Sequence, residues 1–108
     1  MSVLENFERM LAEGKDNALL RYSLGNEYLK ADNPCNAVLH LREAVHQEPN
    51  HSASWKLLGR ALAETGDLDG ALEAYHQGIA KAQARGDLQA VKEMQVFARR
   101  LERQRSDG

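Results

Sequence analysis

Apolar residues recur at intervals of three and four along most of the chain. Trp55, Leu58 and Leu62 follow this spacing, and Tyr75 and Ile79 repeat it farther along. The spacing places apolar side chains on one face of an α-helix, whereas a half-buried strand would alternate apolar and polar residues. The pattern therefore predicts an all-α protein.

Helix-ending and helix-starting residues divide the chain into six predicted helices. Gly14, Gly66 and Gly86 are typical of helix C-termini, while Pro34 and Pro49 stand where a helix begins or has just ended. The predicted helices lie near residues 3–13, 17–30, 34–47, 51–64, 68–84 and 87–104.

The middle of the chain repeats itself at an offset of 34 residues, which aligns Leu24 with Leu58 and Ala37 with Ala71. The aligned positions carry apolar or small side chains in both copies, as expected where helices pack closely. A repeat of this length indicates an array of helical hairpins. The predicted packing positions are Leu24, Gly25, Tyr28, Ala37, Trp55, Leu58, Gly59, Leu62, Ala71 and Tyr75.

These positions resemble the tetratricopeptide repeat, a helix–turn–helix unit of 34 residues. The resemblance assigns residues 18–51 and 52–85 to two repeats, residues 1–17 to a half repeat, and residues 86–108 to a capping helix and tail. Arg21 departs from the family pattern, because an aromatic residue or leucine is usual at its position. The resemblance implies antiparallel hairpins stacked as a short right-handed superhelix, with residues 1–108 forming one domain.

The predicted capping helix has an apolar stripe and a charged outer side. We expect the stripe to pack on the preceding hairpin, with Lys92, Arg99 and Arg103 facing solvent. The stripe consists of Leu88, Val91, Met94, Phe97, Ala98 and Leu101.

A second face on the first helix of each repeat differs between the two copies, whereas the packing face agrees. In the repeat family this face lines a concave groove that receives peptides. Lys56 and Arg60, four residues apart, predict contact with an acidic peptide or a free C-terminus. The alternative is a solvated face that Glu64 partly neutralises. The predicted groove residues are Leu19, Tyr22, Asn26, Leu29, Lys56 and Arg60.

The composition is that of an ordinary globular protein. The formal net charge is −2, and charged residues make up 28% of the chain, which is ordinary for a globular protein. Cys35 is the only cysteine, so an intramolecular disulfide is excluded. The N-terminal sequence does not resemble a secretory signal, which favours a cytoplasmic location.

No candidate metal or cofactor site emerges from the sequence. Two Glu-x-x-His stretches, at Glu43 with His46 and at Glu73 with His76, have the spacing of ligands in helical di-iron proteins. Their glutamates lie far around the helix from the packing stripe, so we expect them to face water. We expect no metal, no cofactor, no catalytic residue and no membrane partner. The sequence thus favours an adaptor that binds another protein.

Two other functions remain open at this point. The first is self-association, through the apolar groove residues Leu19, Tyr22 and Leu29 or through Val96. The second is nucleic-acid binding by the C-terminal helix, since residues 85–108 carry six basic and four acidic side chains. No aromatic stacking platform accompanies these basic residues, which makes nucleic-acid binding the weaker alternative.

Overall fold

The computed structural model describes residues 2–107, which form six α-helices and contain no strand. The all-α prediction is therefore confirmed, and every predicted helix is present. At its C-terminus the last helix extends three residues beyond the prediction, and there Arg105 pairs with Asp69 at 2.9 Å. The helices are α1 (Val3–Ala12), α2 (Ala18–Lys30), α3 (Pro34–Gln47), α4 (Ser52–Glu64), α5 (Leu68–Arg85) and α6 (Leu88–Asp107).

Side-chain caps at helix N-termini and a glycine at a helix C-terminus explain why the helix boundaries can be predicted from sequence. The Asn17 side chain accepts a hydrogen bond from the Leu20 N–H at 2.8 Å, and Asp67 accepts one from the Gly70 N–H at 2.9 Å. Each bond satisfies an N–H group that has no partner within its own helix. Gly86 ends α5 with a φ of 75°, a left-handed conformation that glycine adopts readily.

The helices form two layers. Each helix contacts the next along the chain, and α2 and α6 also both contact α4. In contrast, α3 and α5 make no close backbone approach to each other within residues 2–107. Because α2, α4 and α6 lie closer together than the helices behind them, they form the inner side of a curved array.

The core lies between neighbouring helices, and two glycines allow close helix approach there. A Cβ atom at Gly25 would lie 2.6 Å from Leu41 Cδ2, and one at Gly59 would lie 2.7 Å from Tyr75 Cε1. Both distances are shorter than real Cβ contacts, so the two hairpins α2–α3 and α4–α5 depend on glycine at equivalent places.

Most of the predicted packing residues are buried, and Tyr75 is only 4% exposed. Tyr28 and Trp55 are instead half-buried and use their polar atoms at the edge of the core. The Tyr28 hydroxyl donates to Glu8 at 2.8 Å, and the Trp55 indole N–H donates to the Pro49 carbonyl at 2.7 Å. These bonds explain why both rings stop short of full burial.

Large apolar side chains on the surface are dispersed rather than clustered on one helix. They are Val3 of α1, Leu19 of α2, Leu39 of α3, and Leu88 and Val96 of α6. The prediction that Leu88 joins the buried stripe was wrong, since it is 66% exposed. It is the first residue of α6 and lies roughly 100° around the helix from the centre of the buried stripe, so it falls at the edge of the packed face. Within the described residues, no helix is long and apolar enough to cross a lipid bilayer.

Candidate binding cleft

A cleft of about 620 Å³ opens between α4 and α6 on the inner side of the array. Its apolar lining comes from three helices that meet there, and charged or amide side chains surround it. The apolar lining residues are Leu57, Ala63, Tyr75, Phe97 and Leu101. The polar lining residues are Lys56, Arg60, Glu64, Arg100 and Gln104.

Phe97 occupies the centre of this arrangement. Its ring centroid lies 5.8 Å from that of Tyr75, which packs behind it from α5. The Lys56 Nζ atom lies 6.0 Å from the Phe97 centroid, and the Arg100 guanidinium carbon lies 5.9 Å from it. A cation within about 6 Å of a ring is attracted to the negative π face. Phe97 thus belongs to the apolar lining and also contacts two of the three cations at the rim of the cleft, which are Lys56, Arg60 and Arg100.

Two of the three rim cations already have carboxylate partners. Lys56 Nζ contacts Glu93 Oε1 at 2.8 Å and links α4 to α6, and this bond lowers the pKa of Glu93 below its ordinary value. Arg60 Nε contacts Glu64 Oε2 at 2.9 Å within α4. Arg100 has no carboxylate partner among residues 2–107, and within that range it interacts with the Phe97 ring alone.

The Tyr75 hydroxyl is a further polar group at the cleft. It makes no hydrogen bond within residues 2–107, although every fully buried side-chain nitrogen or oxygen in that range has a partner. The hydroxyl is therefore at the cleft surface, while the ring beneath it is buried. Burial raises the pKa of Tyr75 to about 12, so the hydroxyl is protonated at neutral pH and can donate a hydrogen bond.

The groove residues predicted from sequence fall into separate places. Lys56 and Arg60 line the cleft, whereas the α2 residues of the predicted groove do not. Leu19 is 73% exposed at the start of α2, and Asn26 is half-buried on the same helix. Tyr22 is also half-buried, and its ring meets that of His51 edge-on at 5.2 Å.

Leu29 was wrongly predicted to line the groove. It is 5% exposed and belongs to the hydrophobic core. It lies one turn after Gly25, on the side of α2 that approaches α3. A leucine at that position is covered by the neighbouring helix and is not available to a ligand.

The unusual Arg21 belongs to a polar network that attaches α1, which has no fully buried residue. Its guanidinium makes two contacts of 2.8 Å with Asp16 and one of 3.2 Å with His40 Nδ1. A carboxylate oxygen of Glu8 in α1 accepts a hydrogen bond from the Tyr28 hydroxyl and lies 3.5 Å from His40 Nε2. Hydrogen bonding by Arg21 holds the pKa of Asp16 well below its usual range. Arg21 thus connects α2 to α3 and to the loop before α2, while Glu8 connects α1 to the same network.

The sequence pattern did not identify Arg100 or Phe97 as cleft-lining residues. Phe97 was assigned only to the packing stripe, and Arg100 was not singled out among the basic residues of the last helix. The available signal was their spacing of three, which places them on adjacent parts of one helix face. That spacing does not reveal which other helix completes the cleft.

Known proteins place the chain in one family. The family model for the tetratricopeptide repeat matches residues 22–87. A TPR repeat-containing protein of Pseudomonas aeruginosa is 52% identical over 104 residues, which cover 96% of this chain and 99% of that protein.

Solved structures agree with this family. The solution structure of a Bordetella parapertussis protein has a TM-score of 0.82 and 47% identity, over 96% of this chain and 90% of that one. YrrB, described as a TPR protein with an unusual peptide-binding site, has a TM-score of 0.64 and 25% identity, over 91% of this chain and 58% of its own. With the sequence repeat and the layered helices, these similarities show that the chain belongs to the tetratricopeptide repeat family.

Proposed function

We propose that this protein is a non-catalytic scaffold that binds a peptide segment of another protein in the cleft between α4 and α6. The observation that carries the proposal is an apolar cleft on the inner helix layer with three cations at its rim. Its volume of about 620 Å³ falls in the range of natural ligand pockets. The peptide-binding site described for YrrB gives additional support.

The chemistry of the cleft suits a polypeptide ligand. The apolar lining can cover one or two side chains, while the Tyr75 hydroxyl and the Gln104 amide can donate hydrogen bonds to main-chain carbonyls. Convergent donors around an apolar lining are typical of sites that fix both the position and the direction of a ligand.

The other two candidate functions have less support. The large exposed apolar residues within residues 2–107 are distributed over four helices rather than concentrated on one helix face, which gives less support to a self-association surface. In the basic C-terminal helix, Arg105 is already paired with Asp69, and Glu102 and Asp107 interrupt the cations. A peptide ligand in the cleft fits the observations best.

The test is a selection of binders from a random peptide display library, followed by calorimetric titration of the selected peptides. Ala63→Trp places a large ring in the cleft and is expected to weaken binding at least about tenfold. Ala80→Trp is the matched control, because Ala80 is exposed on α5 and does not line the cleft. Peptides that bind Ala63→Trp as tightly as the parent would contradict this location.

A further inference from the structure

The charges around the cleft leave one cation available. Lys56 is paired with Glu93, and Arg60 with Glu64, at 2.8 and 2.9 Å. Arg100 is the third rim cation and has no carboxylate partner among the residues described. A ligand carboxylate therefore meets least competition at Arg100, and not at the two cations that the sequence suggested.

The position of Arg100 over Phe97 suits it for this task. Its guanidinium carbon lies 5.9 Å from the ring centroid, and the side chain is exposed to solvent. A guanidinium can contact an aromatic ring through its flat face while its N–H groups bind a carboxylate in the guanidinium plane. Because Phe97 lines the cleft, a carboxylate on Arg100 would lie beside any apolar side chain inserted there.

The inner helix layer continues past the cleft, because α4 contacts α2 on one side and α6 on the other. A bound chain can therefore run on from the cleft over α2. A continuous surface of this kind fits the interior of a polypeptide better than its end.

We propose that the cleft selects an internal segment in which a Phe or Leu side chain lies next to Asp or Glu, and that Arg100 is the residue that selects the acidic side chain. This inference rests on the proposed peptide-binding function. The apolar side chain enters beside Phe97 and Leu57, and the adjacent carboxylate pairs with Arg100. Lys56 and Arg60 keep their intramolecular partners.

The experiment uses octapeptides acetylated and amidated at their ends, so that no terminal carboxylate is present. Each contains one Glu beside a Phe or Leu, and a matched peptide has Gln in place of Glu. We expect the Glu peptides to bind the parent protein about five- to tenfold more tightly at low salt, as for a partly exposed charge-assisted pair. The preference should decrease as sodium chloride rises from about 50 to about 500 mM, because salt screens the pair.

Two variants test the assignment to Arg100. Arg100→Gln should reduce the preference for Glu over Gln to less than about twofold while the Gln peptides bind as before. Arg99→Gln is the matched control, since Arg99 is the adjacent exposed cation and does not line the cleft. Equal loss of the preference in both variants would show general attraction to a basic helix and would refute the assignment.

The outcomes separate this inference from the function on which it rests. If Glu and Gln peptides bind equally and Ala63→Trp abolishes both, acidic selectivity is refuted and the peptide scaffold is retained. If no blocked peptide binds but the same sequences with a free C-terminus do, the cleft recognises chain ends and the internal segment is refuted. If peptides bind but their binding is unaffected by Ala63→Trp, the cleft is not the binding site, and both the proposed location and this inference fail.

Discussion

The close approach of α2 to α3 at Gly25 leads to a prediction about Gly25→Ala. Its effect on the free energy of unfolding should change sign when Leu41 is truncated. A methyl group added at Gly25 would lie 2.6 Å from Leu41 Cδ2, and Leu41 is completely buried. Overpacking of a core by one such group typically costs about 1–3 kcal/mol. Alanine also gains about 1 kcal/mol over glycine in a helix interior. Gly25→Ala should therefore destabilise the parent protein by up to about 2 kcal/mol.

The same change should stabilise a protein that already lacks the leucine. Leu41→Ala by itself should cost about 2–5 kcal/mol through lost burial and a cavity. In that background the Gly25→Ala methyl enters empty space, so only the helix-propensity gain of about 1 kcal/mol remains. The double-mutant cycle should yield a favourable coupling of about 1–3 kcal/mol between the two positions.

The four proteins can be compared by urea denaturation followed by circular dichroism of the helices. A change of 1 kcal/mol corresponds to roughly 4–8 °C in melting temperature for a domain of this size, so thermal unfolding gives a second measurement. If Gly25→Ala stabilises the parent as much as the Leu41→Ala background, the two helices do not approach as closely as described. Leu41→Val can replace Leu41→Ala if the larger truncation prevents folding.

Three other substitutions test the polar contacts of the fold. Burial lowers the pKa of His40, so folding favours the neutral ring, and its contribution to stability decreases as the pH falls below about 6.5. The melting temperature of His40→Gln should consequently fall less than that of the parent between about pH 7 and about pH 5.5, and an equal fall would argue against this role. Trp55→Phe removes the indole hydrogen bond to Pro49 and should cost about 1 kcal/mol in urea denaturation, whereas an unchanged midpoint would mean that the bond contributes nothing. Asp67→Ala removes the N-terminal cap of α5 and should cost about 1 kcal/mol, while the exposed control Glu102→Ala should change stability by less than about 0.5 kcal/mol.

The helices and their packing faces were predictable because their signals are local. A cap such as Asp67 acts on an N–H three residues away, and the apolar spacing describes one side of a single helix. The repeat added longer-range information, since the match of Leu24 with Leu58 showed that two hairpins use the same packing face. These features specify helix positions and the family without reference to any contact between distant residues.

Arg21 marks the limit of this local reasoning. Its position in the repeat pattern predicts a packing residue, and only the fold shows which polar groups surround it. Asp16 and His40 reach it from the loop before α2 and from α3. A charged side chain can occupy such a position because neighbouring elements supply its hydrogen-bond partners.

The cleft, too, was predictable only in part, because some of its features follow from local sequence spacing and others from tertiary packing. Helical spacing predicts Lys56 and Arg60 on one face of α4, and both line the cleft. It could not show that Glu93, 37 residues from Lys56, would pair with that lysine, or that Arg100 beside Phe97 would have no carboxylate partner within residues 2–107. Periodicity identifies the exposed side of a helix, but the packing of α6 against α4 brings the Glu93 carboxylate and the Phe97 ring to that side. Tertiary packing therefore decides which cation is available to a ligand.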